Sequence, residues 1–301
     1  MSTHSDAVVI GAGQAGLGTA KVLADRGLSV VVLERGRIGE TWLSQRWDSF
    51  ALNTPNWMNT LPGLQDPGHD SEGFMSHVEL VHYFESYAST FDIDVRVGHN
   101  VTKVGHDGRQ AGFAVEANSD AGAEHFESPY VVVASGIAHQ PKIPSIASKL
   151  PDAITQLATG TYRSPAHLPD GSVLVVGGGQ SGGQIVEDLL GADREVYFST
   201  SKVGRVPRRY RGADFMFWML ELGIWDLPTN QVDAEMILAT NPLTSGVGPR
   251  GHTISFQQLA SDGAQLMGRL LDVENGIVKA DDRGMAYLPF SDEFSADPNH
   301  K

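Results

Sequence analysis

Two short glycine patterns, Gly11-Ala-Gly13-Gln-Ala-Gly16 and Gly177-Gly-Gly179-Gln180-Ser181-Gly182, are the parts of this sequence whose types and spacing could do chemistry. In each, the first glycine permits a tight turn, the second admits a bulky anionic group against the backbone, and the third lets a helix pack on the strand before it. The amides that open the helix then face a pyrophosphate with the positive end of the helix dipole. Two such cradles imply two dinucleotides.

The residues at the end of the following strand separate the two sites. After the first cradle an apolar run at residues 28–33 ends in Glu34, whose carboxylate can accept hydrogen bonds from ribose hydroxyls and would repel a 2′-phosphate. The first site therefore suits FAD or NAD. After the second cradle the equivalent position is Thr200, followed by Ser201, Lys202, Arg205 and Arg208. Hydroxyls and cations in place of an acid suit the 2′-phosphate of NADPH, the alternative being a solvated basic loop.

The elements needed to position these groups are legible around them. Residues 7–10 read as a strand, 15–26 as a helix and 28–33 as a second strand, the start of a βαβ unit. Residues 39–62 show neither helical nor strand periodicity and are dense in Trp, Asn and Pro, as functional loops often are. A capping-box pattern at Ser76 and Glu79 predicts a helix to about Phe91, followed by a strand at 93–97. Strands near 101–106, 112–117 and 130–134 read as a small meander. A proline-broken stretch at 137–169 reads as the crossing between domains. The second nucleotide unit opens at Ser172, and residues 211–251 look like a helical insertion in which the spacing of Phe215, Trp218 and Leu222 reads as a packed helix face, the alternative being a substrate box.

Composition sets limits on function. With 22 Lys and Arg against 36 Asp and Glu, the formal charge of −14 argues against nucleic acid or an anionic membrane as partner. The count of zero cysteines removes thiol–disulfide relay from the chemistry this sequence can perform. Its 11 histidines show no metal-ligand spacing, and no nucleophilic triad is legible. No signal peptide or membrane span is evident, so the expected location is cytoplasmic.

The fingerprint with Glu34, the block Gly39-Glu40-Thr41-Trp42, Leu52-Asn53-Thr54-Pro55, the turn Ala134-Ser-Gly136 followed by Pro141 and Pro144, and the second fingerprint occur in an order that resembles flavin-containing monooxygenases, most nearly a bacterial branch of them. The resemblance spans about residues 6–275. It implies that NADPH reduces FAD and that the reduced flavin uses O2 to oxygenate a small organic substrate. It also implies that Arg35, Thr41, Trp42, Trp47, Ala134 and Gly136 belong to the flavin side. Asn53 matches the family asparagine that works near flavin and nicotinamide, the alternative being an Asx-turn residue before Thr54 and Pro55.

Three features depart from the family pattern. Ala158 stands where the family carries a histidine four residues before Tyr162, Glu40 replaces a glycine common in the flavin-side loop, and the returning strand with its Gly-Asp turn is not found in the last residues. The resulting expectation is an α/β protein of two Rossmann-like dinucleotide-binding domains, an FAD domain at 1–160 left incomplete at the C-terminus and an inserted NADPH domain at 161–275, with a short remnant at 276–301. A homo-oligomer or a partner subunit would cover the incomplete FAD domain. The expected activity is that of a flavin-dependent NADPH monooxygenase or oxidoreductase. The competing readings are a shortened flavoprotein that binds FAD, NADPH or both with oxidase leakage or no turnover, and a non-catalytic dinucleotide-binding protein.

Overall fold

The computed structural model describes residues 2–64, 70–106, 112–137, 140–232, 242–244, 246 and 251–296. They fall into two compact units, one of Met1–Arg46, Asn56–His69 and His77–Gln140, the other of Trp47–Pro55, Asp70–Ser76 and Pro141–Lys301.

The first unit runs β1 (Ser2–His4), β2 (Ala7–Ile10), α1 (Gln14–Ala24), β3 (Val30–Leu33), α2 (Glu40–Ser44), α3 (His77–Thr90), β4 (Val95–Arg96), β5 (Asn100–His106), β6 (Phe113–Ser119), β7 (Gly122–Ser128) and β8 (Tyr130–Val133). Continuous apolar runs such as Ala-Val-Val-Ile and Val-Val-Val-Leu suit strands covered on both faces, and they form a parallel sheet in the order β4-β3-β2-β8. Because β3 and β8 flank β2 on opposite sides, the strand order reverses at β2, and ligands of such sheets bind beyond the carboxyl ends there. A second sheet, β1-β7-β6-β5, packs against the first through Val8, Val31 and Leu33 on one side and Val115, Ala117 and Phe126 on the other.

The meander differs from the sequence expectation in one strand. Its third member is β7, antiparallel to β6, whereas residues 130–133 lie parallel to β2, with Ala7 opposite Tyr130 and Ile10 opposite Val133. Tyr-Val-Val-Val is a parallel-sheet run. β7 buries only Phe126 and Ser128, so its sequence carries little strand signal.

The second unit is built on a parallel sheet, β13-β10-β9, from β9 (Val173–Val176), β10 (Val196–Ser199) and β13 (Gln265–Met267). α4 (Gln180–Leu190) follows β9, and α6 (Phe256–Ser261) sets Phe256 edge-on to Phe198, the ring centroids lying 5.3 Å apart. The short pair β11 (Arg209–Tyr210) and β12 (Ala213–Asp214) leads into α5 (Phe215–Glu221). The hairpin β14 (Leu270–Glu274) and β15 (Ile277–Ala280) turns at Asn275-Gly276, both with positive φ as a tight hairpin turn requires. α7 (Leu288–Ala296) closes the described chain.

Two expectations for this unit need correcting. α5 has no fully buried residue: Phe215 and Trp218 are half-buried and Leu222 is 59% exposed, so the expected face is packed only at its aromatic end. Trp218 donates its indole N–H to the Tyr210 carbonyl at 2.9 Å. The rest of the predicted insertion lies partly outside the described residues. The stretch read as a remnant holds a strand, β15, and a helix, α7.

Candidate functional site

The first cradle is built where β2 meets α1. Gly11 has φ +107°, and a Cβ there would fall 2.5 Å from the Ala134 carbonyl oxygen. A Cβ on Gly16 would fall 1.9 Å from the Gly11 carbonyl oxygen, so the helix can close on the turn only through glycine. Gly13 is different. Its φ of −93° suits any residue, and a Cβ there meets nothing within 4 Å. Neither backbone nor packing asks for a bare residue at Gly13, whereas a phosphate-bearing group lying against it would. The cap residue Gly13 has no side chain to close the start of α1, which among the described residues leaves the opening amides to such a group.

Glu34 is locked beside this turn. Its Oε2 accepts the Ala12 N–H and its Oε1 the Gly36 N–H, both at 2.9 Å. Each oxygen keeps a second lone pair for a ribose hydroxyl. Arg35 is exposed; Thr41 and Trp42 lie half-buried on α2, with the Arg46 guanidinium 4.7 Å from the centre of a Trp42 ring. Gly136 is exposed with φ +80°.

The second cradle repeats the geometry. Gly177 has φ +112°, a Cβ on Gly182 would lie 1.9 Å from the Gly177 carbonyl oxygen, and a Cβ on Gly179 would meet nothing within 4 Å. α4 also lacks a side-chain cap. Gln180 accepts from the Thr244 N–H at 3.0 Å and lies beside half-buried Ser181.

The group expected around a 2′-phosphate is only partly assembled. Ser201 is half-buried and Lys202 exposed at the end of β10. Thr200 is 2% exposed and turns its hydroxyl to the Ser201 carbonyl, above Gly178, so its expected role is corrected: packing holds it inside. Arg208 is corrected as well. It is 0% exposed, its Nε donates to Asp214 at 2.8 Å, and its Nη1 donates to the Asn53 carbonyl at 2.7 Å. The rings of Phe74 and Phe215 lie 4.3 and 5.1 Å from the guanidinium. Charge, carbonyl and rings replace part of the water this buried cation gives up, while its Nη2 is buried with no hydrogen-bond partner among the described residues. Arg205 pairs with Asp292 at 2.9 Å.

Asn53 belongs to the second unit, where its Oδ1 accepts from Gln184 Nε2 of α4 at 3.1 Å. The carboxamide and the carbonyl of Asn53 are therefore held by α4 and Arg208 respectively. Trp47 also belongs to this unit and is corrected. It is 0% exposed, edge-on to Phe50 at 5.0 Å, and so offers no face to a flavin. Nearby, Tyr162 and Ser49 donate to the Asp188 carboxylate at 2.6 and 2.7 Å. Burial, together with its bond to Asp188, pushes the Tyr162 hydroxyl far above its ordinary pKa. Gln184 and the Arg208–Asp214 pair went unread in the sequence. Gln184 lies one turn beyond Gln180, which is a weak signal, and Arg208 was hidden in a basic run.

Among the described residues no group of three or more His, Asp or Glu could hold a metal, and no helix is long and apolar enough to cross a membrane. The sequence profile of pyridine nucleotide-disulphide oxidoreductases matches residues 8–211. The chain belongs to that family. It is 36% identical over 227 residues to an uncharacterized CzcO-like oxidoreductase of Geobacillus kaustophilus (strain HTA426), covering 75% of this chain and 63% of the relative. It is 30% identical over 248 residues to the indole-3-pyruvate monooxygenase YUCCA1 of Oryza sativa subsp. japonica, covering 81% and 60%. A flavin-containing monooxygenase from Stenotrophomonas maltophilia superposes with a TM-score of 0.60 at 21% identity, covering 93% of this chain and 76% of that one. The resemblance to flavin-containing monooxygenases and the two-domain Rossmann-like fold are thus borne out. The chain spans about three fifths of the length of these curated relatives.

Proposed function

We propose that this chain is the dinucleotide-binding part of a flavin-dependent, NADPH-using monooxygenase or oxidoreductase, with FAD at the first cradle and NADPH at the second. The observation that carries the reading is the repeated cradle in which Gly13 and Gly179 are bare for no internal reason, with Glu34 at one ribose end and Lys202 at the other. Bound FAD would supply the redox chemistry, with NADPH as the two-electron reductant and O2 as the oxidant, one oxygen atom entering the substrate and the other leaving as water.

The protein's part is binding and placement. Opening amides of α1 and α4 hold the two pyrophosphates, the Glu34 carboxylate takes ribose hydroxyls, and Gln184 with Arg208 holds Asn53 in a fixed orientation. Trp42, Thr41, Ala134 and Gly136 remain on the flavin side of this reading, and Asn53 remains its catalytic candidate. The absence of cysteine from the chain removes the redox cysteine pair that a disulfide reductase needs. The reading places the protein in the cytoplasm, acting on a small molecule and O2, with a second copy or partner subunit along the outer edge of β8, where Tyr130 and Val133 are 61% and 69% exposed.

The test is to titrate the protein with FAD, reduce the bound flavin anaerobically with NADPH, admit air, and count peroxide per NADPH. Flavin that binds and bleaches supports the reading. Failure to bind FAD, or bound flavin that NADPH leaves oxidised, overturns it; peroxide matching NADPH marks an oxidase and not an oxygenase.

A further inference from the structure

The segment that leaves β10 at the ribose end of the second cradle is covered by α7. Ser291 Oγ donates to the Val203 carbonyl at 2.6 Å, and Ser295 Oγ donates to the Arg205 carbonyl. A Cβ on Gly204 would lie 2.7 Å from the Phe294 ring, so the helix sits directly on this backbone. The Lys202 ammonium lies 5.5 Å from the centre of the Phe290 ring. Arg205 Nη2 donates to Asp292 Oδ1 at 2.9 Å, and Gln257 Nε2 fixes the same oxygen at 3.0 Å. Arg205 Nε is buried with no hydrogen-bond partner among the described residues, which leaves this guanidinium incompletely satisfied. Both cations that the sequence offers to a 2′-phosphate, once Arg208 is set aside, are therefore engaged by one helix.

We propose that Asp292 is a specificity-determining residue of the second site: its carboxylate competes with the 2′-phosphate of NADP(H) for Arg205 and so narrows the preference for NADPH over NADH. The proposal rests on the reading of the second cradle as a pyridine-nucleotide site. A phosphate seeking Arg205 must displace the carboxylate and then lie beside it, like charge against like. NADH presents only hydroxyls there and meets neither obstacle.

The test is calorimetric titration of the 301-residue chain with NADP+, NAD+ and adenosine 2′-phosphate, in the wild type and in Asp292→Asn, Glu293→Gln and Arg205→Ala. Asp292→Asn should tighten NADP+ and adenosine 2′-phosphate by about threefold, the scale of an exposed ion pair, and leave NAD+ unchanged. Glu293 is exposed on the same helix, and Glu293→Gln makes the same charge change, so it should shift the ratio less. If Asp292→Asn leaves the NADP+ to NAD+ ratio unchanged or lowers it while Arg205→Ala lowers it, the site stands and the competition is refuted. If no nucleotide binds, or neither variant moves the ratio, the inference falls together with the reading of the site.

Discussion

At the scale of residues, Gly13 and Gly16 share a type and differ in what they answer to. Gly16 answers to the protein, since a Cβ would sit 1.9 Å from a backbone oxygen; Gly13 faces open space. Gly16→Ala should therefore lower the melting temperature sharply. Gly13→Val should melt like the wild type while losing flavin, read as absorbance per mole of protein; retained yellow colour would remove FAD from this turn. The buried pair offers a second expectation. Asp214→Asn strips the counter-charge from Arg208, both partners being at most 1% exposed, and should cost about 3–5 kcal/mol in urea unfolding. Tyr162 supplies a pH dependence. Its folded pKa lies above the ordinary 10.0, so the bond to Asp188 stabilises fully below pH 10 and is lost as pH rises beyond it. Urea unfolding at pH 8 and pH 10.5 should show an alkaline decrement in the wild type that is smaller in Tyr162→Phe, where burial of Tyr83 and Tyr87 still opposes their ionisation.

Among elements, legibility followed how much of the signal was local. β2, α1, β3 and α4 were readable because apolar runs and glycine turns announce themselves within a few residues. β7 was not, because its only buried apolar side chain is Phe126 and its strand character comes from pairing with β6 and β1. α7 went unseen for a related reason: its Phe290 and Phe294 meet Lys202 and Gly204, partners far away in sequence. The site divides along the same line. Glu34 and the cradles were legible, whereas the inward turn of Thr200, the burial of Trp47 and the capture of Arg208 by Asp214 are tertiary facts that no local spacing encodes. Helix ends remain local, and Ser255 shows it. Its hydroxyl accepts the Gln258 N–H at 3.1 Å to cap α6, so Ser255→Ala should lose about 1 kcal/mol in urea unfolding.

For the whole molecule, two compact units with one cradle each should respond to ligand separately. In scanning calorimetry FAD should raise one transition and NADP+ the other, by about 2.7 kcal/mol at a hundredfold excess over Kd. A lone transition that both ligands raise equally would refute independent units. The division of the chain between them bears on biosynthesis. Trp47–Pro55 and Asp70–Ser76 are made early, yet they belong to the unit whose remaining members run from Pro141 to Lys301. Trp47, Phe50, Phe74 and Met75, all buried in the finished protein, must wait for more than half the sequence to leave the ribosome before their shelter exists. A nascent chain halted at residue 140 should therefore be a chaperone client, bound in pull-downs through those four side chains and released from that dependence once translation passes α4 and β10.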